Sequence, residues 1–473
     1  MEEKVTIARV EISREDWEQT PARVKELVRH LEERLGLTSK NSSQPPSSDP
    51  PKPKKDTQGK KKRGGQKGHK GFSRYLYDES ECREVISHKP QHCGHCQSAL
   101  TGEDPNPYRH QIVEIPPVEL DIIEHQLHSL ECLCCGKKTR ASLPASVNPR
   151  GYGERLQAIV GLLSGGYRLS HQNLKTLLWE LWGIRISVAS LNRLRQTLSQ
   201  KVLPAVAEAR AYVQAAPVTH ADETGWKQHD GDGSNPEQKS AWLWVAACEF
   251  VTVYQLTLSR SGNSARQLLG AESSGIVVSD RYGAYNWLEL EHRQICWAHL
   301  KRDFVRMSER SGASGEIGRA LLQQTRKLFR WWHRVRDGTL SRELFEKAIG
   351  FVRSTVKRLL EEAVDLCDSL QEKTPLGKTA RTCAQILKVE PALWTFVEHL
   401  EVEPTNNTAE RALRTAVIWR RLSFGSQSAA GSEFVARLLT VVTSLRAQGR
   451  SVLDFLVEAL RDRQPSLLPL PPE

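Results

Sequence analysis

No run of about 18 consecutive apolar residues occurs anywhere in the 473-residue sequence, so no membrane-spanning helix is expected. The opening Met1-Glu2-Glu3-Lys4-Val5 lacks the basic stretch and apolar core of an export signal. The chain is therefore expected in the cytosol. No internal repeat is visible, which sets aside solenoid and propeller arrays. Acidic residues are in deficit, 56 against 67 Lys and Arg, giving a formal net charge of +11. That balance favours a polyanionic partner, either nucleic acid or an acidic membrane surface. Apolar residues make up a modest 39%, enough for a sizeable core at a length that suggests two or more domains.

A disulfide framework is not expected either. There are ten cysteines, but Cys82, Cys93, Cys96, Cys132, Cys134 and Cys135 crowd into one stretch and the rest are scattered. In a large cytosolic chain, clustered pairs read as metal ligands. Cys93-Gly-His-Cys96 and Cys132-Leu-Cys-Cys135 are two C-x-x-C knuckles, each able to give two thiolates to a tetrahedral zinc site. The 35 residues between them exceed common finger spacing and hold strand-like segments near 110–115 and 119–130, as in a zinc ribbon. Cys82, His88, His92, His95 and Cys134 are alternative ligands. Four protein ligands leave no open position, so this zinc is expected to be structural.

Composition changes several times along the chain. Residues 1–45 are read as an N-terminal region with a helix from 14 to about 37. Val24, Val28, Leu31 and Leu35 form one stripe, suited to packing or to a short dimeric coiled coil. Residues 46–75 read as a basic, Pro- and Gly-rich linker. Its charges are Lys52, Lys54, Lys55, Lys60, Lys61, Lys62, Arg63, Lys67 and Lys70, opposed by Asp56 alone. Such an arm suits sequence-independent neutralisation of phosphates. Residues 76–148 hold the knuckles. Residues 150–212 are helical by pattern, with an apolar face at Leu174, Leu177, Leu178 and Leu181. Gly183 breaks this helix, and Ser187 can cap a second that carries Arg193, Arg195 and Gln196. That order suits a helix-turn-helix as well as an ordinary helical hairpin. Strand-like runs follow at 241–248, 251–258 and 276–279, then helical patterns over 303–400 and 404–460.

Three carboxylates occupy distinctive places. Asp222 lies in the extended run Val218-Thr-His-Ala-Asp-Glu-Thr-Gly-Trp226. Asp280 directly follows the apolar strand Ile276-Val-Val-Ser279, and strand ends are where sheet proteins place catalytic groups. Glu410 falls in the first turn of a helix for which Asn406, Asn407 and Thr408 are N-cap candidates. Ala409, Leu413, Ala416 and Val417 are read as that helix's buried stripe. Phosphodiester cleavage needs an activated oxygen nucleophile and a stabilised leaving oxyanion, and two divalent ions roughly 3.5–4 Å apart supply both. Magnesium keeps few protein ligands, so converging carboxylates suffice. Arg411, Arg414, Arg420 and Arg421 beside Glu410 suit DNA phosphates. Glu223 competes with Asp222, and periodicity does not choose between them. Cys296 and His299 have a spacing that suits a metal or a proton shuttle, and equally packing beside the site.

At these residues the chain resembles the insertion-sequence-66-type transposases of bacterial mobile elements. The match runs through Asn41-Ser-Ser-Gln-Pro-Pro-Ser-Ser-Asp49, Gly64-Gly-Gln-Lys-Gly-His-Lys-Gly71, the two knuckles, His220-Ala-Asp-Glu-Thr224, Ser279-Asp-Arg-Tyr-Gly-Ala-Tyr285, Cys296-Trp-Ala-His299 and Asn406-Asn-Thr-Ala-Glu-Arg-Ala-Leu-Arg414. These motifs span nearly the whole chain in the family's order. Pro404-Thr405, Trp419 and the stretch from Gly425 depart from its pattern.

The resemblance implies a multidomain α/β chain with a ribonuclease-H-like core at 213–435, a helical insertion at about 303–400, and a C-terminal helix and tail at 436–473. It implies an Asp-Asp-Glu triad at Asp222, Asp280 and Glu410 holding Mg2+ or Mn2+, with Glu223 and His299 as neighbours. It further implies a DNA transposase that binds terminal inverted repeats, then cleaves and transfers strands. Its partners would be double-stranded DNA, further copies of itself on DNA, and accessory proteins of the same element, at the nucleoid of a bacterial cytosol. The competing reading is an inactive DNA-binding protein or repressor derived from a transposase. Under either reading, deleting residues 50–71 is expected to weaken DNA binding and flatten its salt dependence, measured as the slope of log K against log salt. An unchanged slope would remove the basic arm from the account.

Overall fold

A computed structural model gives the fold and describes residues 4–7, 10–35, 37–38, 40–42, 74–272 and 274–470. The basic arm from Lys52 to Lys70 lies outside the described residues. Contacts divide the chain into two compact units, one of residues 1–50 and 125–473, the other of residues 51–124. Each is treated by itself. No helix among the described residues is long and apolar enough to cross a membrane.

The larger unit opens with an antiparallel pair, β1 (Lys4–Ile7) and β2 (Val10–Ser13). Ser13 then caps α1 (Arg14–Gln19). The single helix expected from residue 14 is divided, because Thr20 is extended before Pro21, and α2 (Ala22–Leu35) follows. On the expected stripe, Val24 and Leu31 are exposed. A small hairpin, β3 (Ser129–Glu131) and β4 (Lys138–Arg140), brackets the second knuckle. No strand forms at 110–115, and within 119–130 only the last two residues are in one.

The next helices are α3 (Glu154–Gly165), α4 (His171–Trp182), α5 (Val188–Lys201) and α6 (Leu203–Gln214). Gly183 ends α4 in the left-handed region, and the Ser187 hydroxyl accepts the Ser190 N–H at the start of α5. Leu174, Leu178, Leu191 and Leu194 share a small core, whereas Leu181 of the expected face is exposed.

The central sheet is built from β5 (Val218–Trp226), β6 (Ala241–Ala247), β7 (Thr252–Thr257), β8 (Ile276–Ser279) and β9 (Arg293–Ile295), with α7 (Gly262–Leu269) between β7 and β8. Its order is β7-β6-β5-β8-β9. β6 is antiparallel to both its neighbours, and β5, β8 and β9 run parallel. Of the inner strands, β6 and β8 are nearly all apolar, as strands covered on both faces are, while β5 carries the polar run of the site.

The chain then leaves the sheet through α8 (Trp297–Ser308), α9 (Ala313–Arg336), α10 (Arg342–Asp365), α11 (Pro375–Leu387) and the short α12 (Thr395–Glu398). Helices thus occupy most of the stretch from 297 to 398. It has its own core, in which Trp297 and Trp394 meet at 5.0 Å between ring centroids and Phe345, Phe396 and Trp332 pack together.

The chain returns to the sheet in α13 (Asn407–Ser423) and continues through α14 (Ala429–Ala447) and α15 (Val452–Leu460). A boundary at 435/436 falls inside α14, whose Thr440 and Ser444 hydroxyls accept the backbone N–H groups of Tyr254 and Thr252. That helix belongs to the sheet's core.

The departures from the family pattern have local reasons. Trp419, and not Val417, completes the buried stripe of α13 with Ala409, Leu413 and Ala416. Gly425 has φ +110°, and a Cβ there would lie 2.1 Å from the Lys227 carbonyl oxygen, so the position admits only glycine. This close approach lets Ser426 bond the backbone just beyond β5 and accept from Trp226 Nε1 at 3.1 Å.

Candidate active site

The sheet register brings the first two carboxylates together. β5 and β8 pair in parallel at Val218–Ile276 through His220–Val278, so Asp222 and Asp280 both lie just past the paired residues, at the same edge. β9, parallel to β8, delivers Cys296 to the start of α8. Glu410 arrives from α13, which packs on β5.

Asn406 fixes this convergence. It is fully buried, and its Nδ2 donates to the Ala221 carbonyl at 2.7 Å. Its Oδ1 lies 3.2 Å from His220 Nδ1. An amide oxygen only accepts, so the imidazole donates. Burial pulls His220 down to about 4, which keeps the ring neutral for that bond. The Asn406 backbone N–H donates to Cys296 Sγ at 3.2 Å, and its carbonyl accepts from Glu410 N–H at 3.1 Å. One residue therefore ties the strand of Asp222, the helix of His299 and the helix of Glu410. From sequence Asn406 was legible as a cap candidate, but its side chain makes no cap bond and reaches across to β5 instead. Pro404 is buried, and its carbonyl accepts from Trp297 N–H at 2.9 Å.

The carboxylates feel one another. Burial holds the Asp222 carboxyl well above the usual carboxylate range, and Glu223, Asp280 and Glu410 push in the same direction. Glu223 differs in its partners. Its Oε1 accepts from Arg260 Nε at 3.0 Å and Nη2 at 2.7 Å, and its Oε2 accepts the Tyr285 hydroxyl at 2.7 Å. The guanidinium of Arg260 lies 3.7 Å from the Tyr282 ring centroid and 4.4 Å from that of Trp242. Both Glu223 oxygens are thus engaged within the protein. Arg260 was not named from sequence and Tyr285 entered only as the end of a matched motif, without a role; the tertiary fold brings both to Glu223.

Beside Glu410 lie His299, with Nδ1 3.7 Å from Oε1, and Arg302, with Nη2 3.8 Å from the same oxygen. Glu410 Oε1 and His299 Nδ1 are buried without a hydrogen-bond partner. Unsatisfied buried polar atoms facing one another, beside mutually repelling carboxylates, fit a cation-binding site. Donor atoms of Cys296, His299 and Glu410 lie within 4.8 Å of one another. Cys296, however, already accepts the Asn406 N–H, and burial pushes its thiol up to about 11. It reads as a packed thiol. Burial lowers the His299 imidazole, against the pull of Asp280 and Glu410.

The remaining site candidates divide by exposure. Arg411, Arg414 and Arg421 are on the exposed face of α13, while Arg420 turns inward to Gly225 O and Thr224 Oγ1. Arg193 is exposed on α5. Arg195 is not available in the same way: its guanidinium lies 4.1 Å from the Phe434 ring centroid and bonds His171 Nε2.

The cysteine knuckles are tight turns. In the first, Cys93 N–H donates to Ser98 O at 2.8 Å and Gln97 N–H to Cys93 O at 3.0 Å. Hydrogen bonds from Ser98 and Cys93 draw the Cys96 thiol down to about 7. In the second, Cys132 N–H donates to Lys137 O at 2.9 Å and Gly136 N–H to Cys132 O at 2.8 Å. The Cys132 thiol is lowered by hydrogen bonds from Cys135 and Cys134. All ten cysteines are free thiols.

Residues 153–434 match the Transposase IS66 family, and residues 2–75 match a family of unknown function. Two proteins of Sinorhizobium fredii (strain NBRC 101917 / NGR234) are similar along most of the chain. Uncharacterized protein y4qI is 25% identical over 435 residues, covering 85% of this chain and 75% of its own length. Uncharacterized protein y4hP is 22% identical over 421 residues, covering 81% and 72%.

The Asn406 lock generates a stability prediction. Asn406→Ala strands the Ala221 carbonyl and the His220 N–H, and is expected to cost about 1–3 kcal/mol in denaturant unfolding. An unchanged unfolding midpoint would show that the amide carries no load.

Proposed function

The chain belongs to the Transposase IS66 family, and on that footing we propose that it cuts the ends of its mobile element and joins them to target DNA with Asp222, Asp280 and Glu410. The observation that carries this reading is the convergence of the three carriers: β5 and β8 pair in register so that Asp222 and Asp280 lie past the same sheet edge, and Asn406, bonded to the Ala221 carbonyl, accepts the Glu410 N–H. Asp222 is preferred over Glu223 because both Glu223 oxygens are already bonded to Arg260 and Tyr285. The sheet order, with β6 running against the other four strands, supports a ribonuclease-H-like core.

Magnesium or manganese is the proposed occupant, held by the three carboxylates, with His299 alongside. Bound there, the ions supply activation of the attacking oxygen and stabilisation of the leaving one. The residues of the chain set the geometry. Asn406 holds Glu410 against the strand of Asp222. Arg302 lies where a scissile phosphate would meet positive charge, and Arg411, Arg414 and Arg421 offer an exposed track for flanking phosphates. Water first attacks phosphorus and releases a 3′-hydroxyl at the element's end. That hydroxyl then attacks a target phosphodiester, one bond forming as another breaks.

Recognition of the terminal inverted repeats is assigned to α4 and α5, with Arg193 outward on the second helix and Arg195 withdrawn from the contact set. Structural zinc is proposed for Cys93, Cys96, Cys132 and Cys135 on residue type and spacing, as part of a zinc ribbon. Self-association on DNA, accessory proteins and a place at the nucleoid complete the reading. The test is cleavage of end-containing DNA in magnesium or manganese by purified protein. Asp222→Asn, Asp280→Asn and Glu410→Gln are each expected to slow cleavage by roughly a thousandfold, the equivalent of several kcal/mol of lost metal assistance. Repeat binding without cleavage by the wild type would favour the repressor reading.

A further inference from the structure

Residues 40–42 come from the N-terminal part of the chain, far in sequence from the carboxylates, yet they pack against α8. Asn41 N–H donates to Thr38 O at 3.2 Å, Thr38 N–H donates to Asn41 Oδ1 at 2.7 Å, and Ser42 Oγ donates to Thr38 O at 2.6 Å, closing a tight turn. Two bonds fix this turn to the end of α8. Arg306 Nε donates to the Asn41 carbonyl at 2.8 Å, and Asn41 Nδ2 donates to Glu309 Oε2 at 2.8 Å. Asn41 and Ser42 are only 6% and 5% exposed, so the turn is seated rather than resting on the surface.

His299, Arg302, Arg306 and Glu309 follow one another at three- and four-residue steps, which places them on one side of the helix. The stripe runs roughly 15 Å, from the neighbours of Glu410 to the docked turn. Ser42, Asp280, His299, Arg302, Asp303 and Arg306 line a cleft of about 190 Å³ along it. With the turn in place that space remains open in front of Asp280, so the turn borders the cleft and does not fill it. The groups that tie the turn to α8 are neutral, the Asn41 amide and carbonyl, and Lys40 on the same turn is exposed, whereas a plug held by three carboxylates would set a cation among them. Arg306, held through Nε, keeps its two terminal nitrogens for a phosphate oxygen.

We propose that the Thr38/Asn41 turn forms the outer wall of the active-site cleft, and that the phosphodiester backbone of a DNA strand runs along the α8 stripe between this wall and Asp280. The proposal rests on the transposase reading above. It gives the N-terminal segment a role in positioning the reacting strand.

The contact has a reversible polarity that makes it testable. Asn41→Asp sets a carboxylate against Glu309, and Glu309→Gln in the same chain restores a donor–acceptor pair with its direction reversed. Full-length wild type, Asn41→Asp and the double variant are compared in two assays: cleavage of end-containing DNA at saturating DNA, and binding of a short labelled end duplex in calcium. Asn41→Asp is expected to slow cleavage and weaken binding by roughly tenfold each, at unchanged melting temperature, and the double variant to recover most of both. Wild-type behaviour of Asn41→Asp, faster cleavage, or a loss that Glu309→Gln does not repair would each overturn the wall. A wild type that binds DNA without metal-dependent cleavage defeats the transposase chemistry instead, and the binding arm then decides the wall by itself.

Discussion

Three carboxylates carried by three separate elements cannot share one pocket unless something both holds the elements together and offsets the charges. In this chain the first task falls to the Asn406 amide. It bonds β5 through the Ala221 carbonyl and His220, takes the α8 start through Cys296, and begins the helix that carries Glu410. The second task is met only in part by protein groups: burial and then its carboxylate neighbours drive the Asp222 carboxyl upward, and Glu410 Oε1 and His299 Nδ1, though Arg302 lies near the former, are buried without a hydrogen-bond partner. A site rigidly built and electrostatically incomplete is the arrangement expected of one that binds cations.

The adjacent acids Asp222 and Glu223 show how a strand divides labour. Burial and Asp280 raise both carboxyls, but Glu223 is bonded at both oxygens, to Arg260 and Tyr285, whereas Asp222 also feels Glu410. The Arg260 guanidinium, stacked on Tyr282 and Trp242, makes Glu223 a buried ion pair.

Much of this was legible in the sequence, for physical reasons that differ by element. β6 and β8 were readable because strands buried on both faces are continuous apolar runs, whereas β9, Arg293-Gln-Ile295, has no such run and was not read. The caps at Ser187 and Gly183 were readable because short polar side chains and left-handed glycines have few other uses. The position of Glu410 in a first turn followed from the Asn-rich start of α13. What sequence withheld depends on distant partners. Periodicity alone placed Val417 in the stripe of α13, where Trp419 is buried instead. Arg195 looked like an outward basic residue until Phe434 took its guanidinium. The β1–β2 pair was overlooked because Ala8-Arg9 between the strands carries no turn signal. The apolar residues near 112–115 suggested a strand but have no partner to pair with among the described residues.

The central claim is that Asp222, and not Glu223, faces the metal ions. Manganese binding to full-length protein on an end duplex, followed by electron paramagnetic resonance with wild type, Asp222→Asn and Glu223→Gln, tests it most directly. The account predicts that Asp222→Asn loses bound manganese while Glu223→Gln titrates like wild type. Retention of manganese by Asp222→Asn with loss in Glu223→Gln would contradict it.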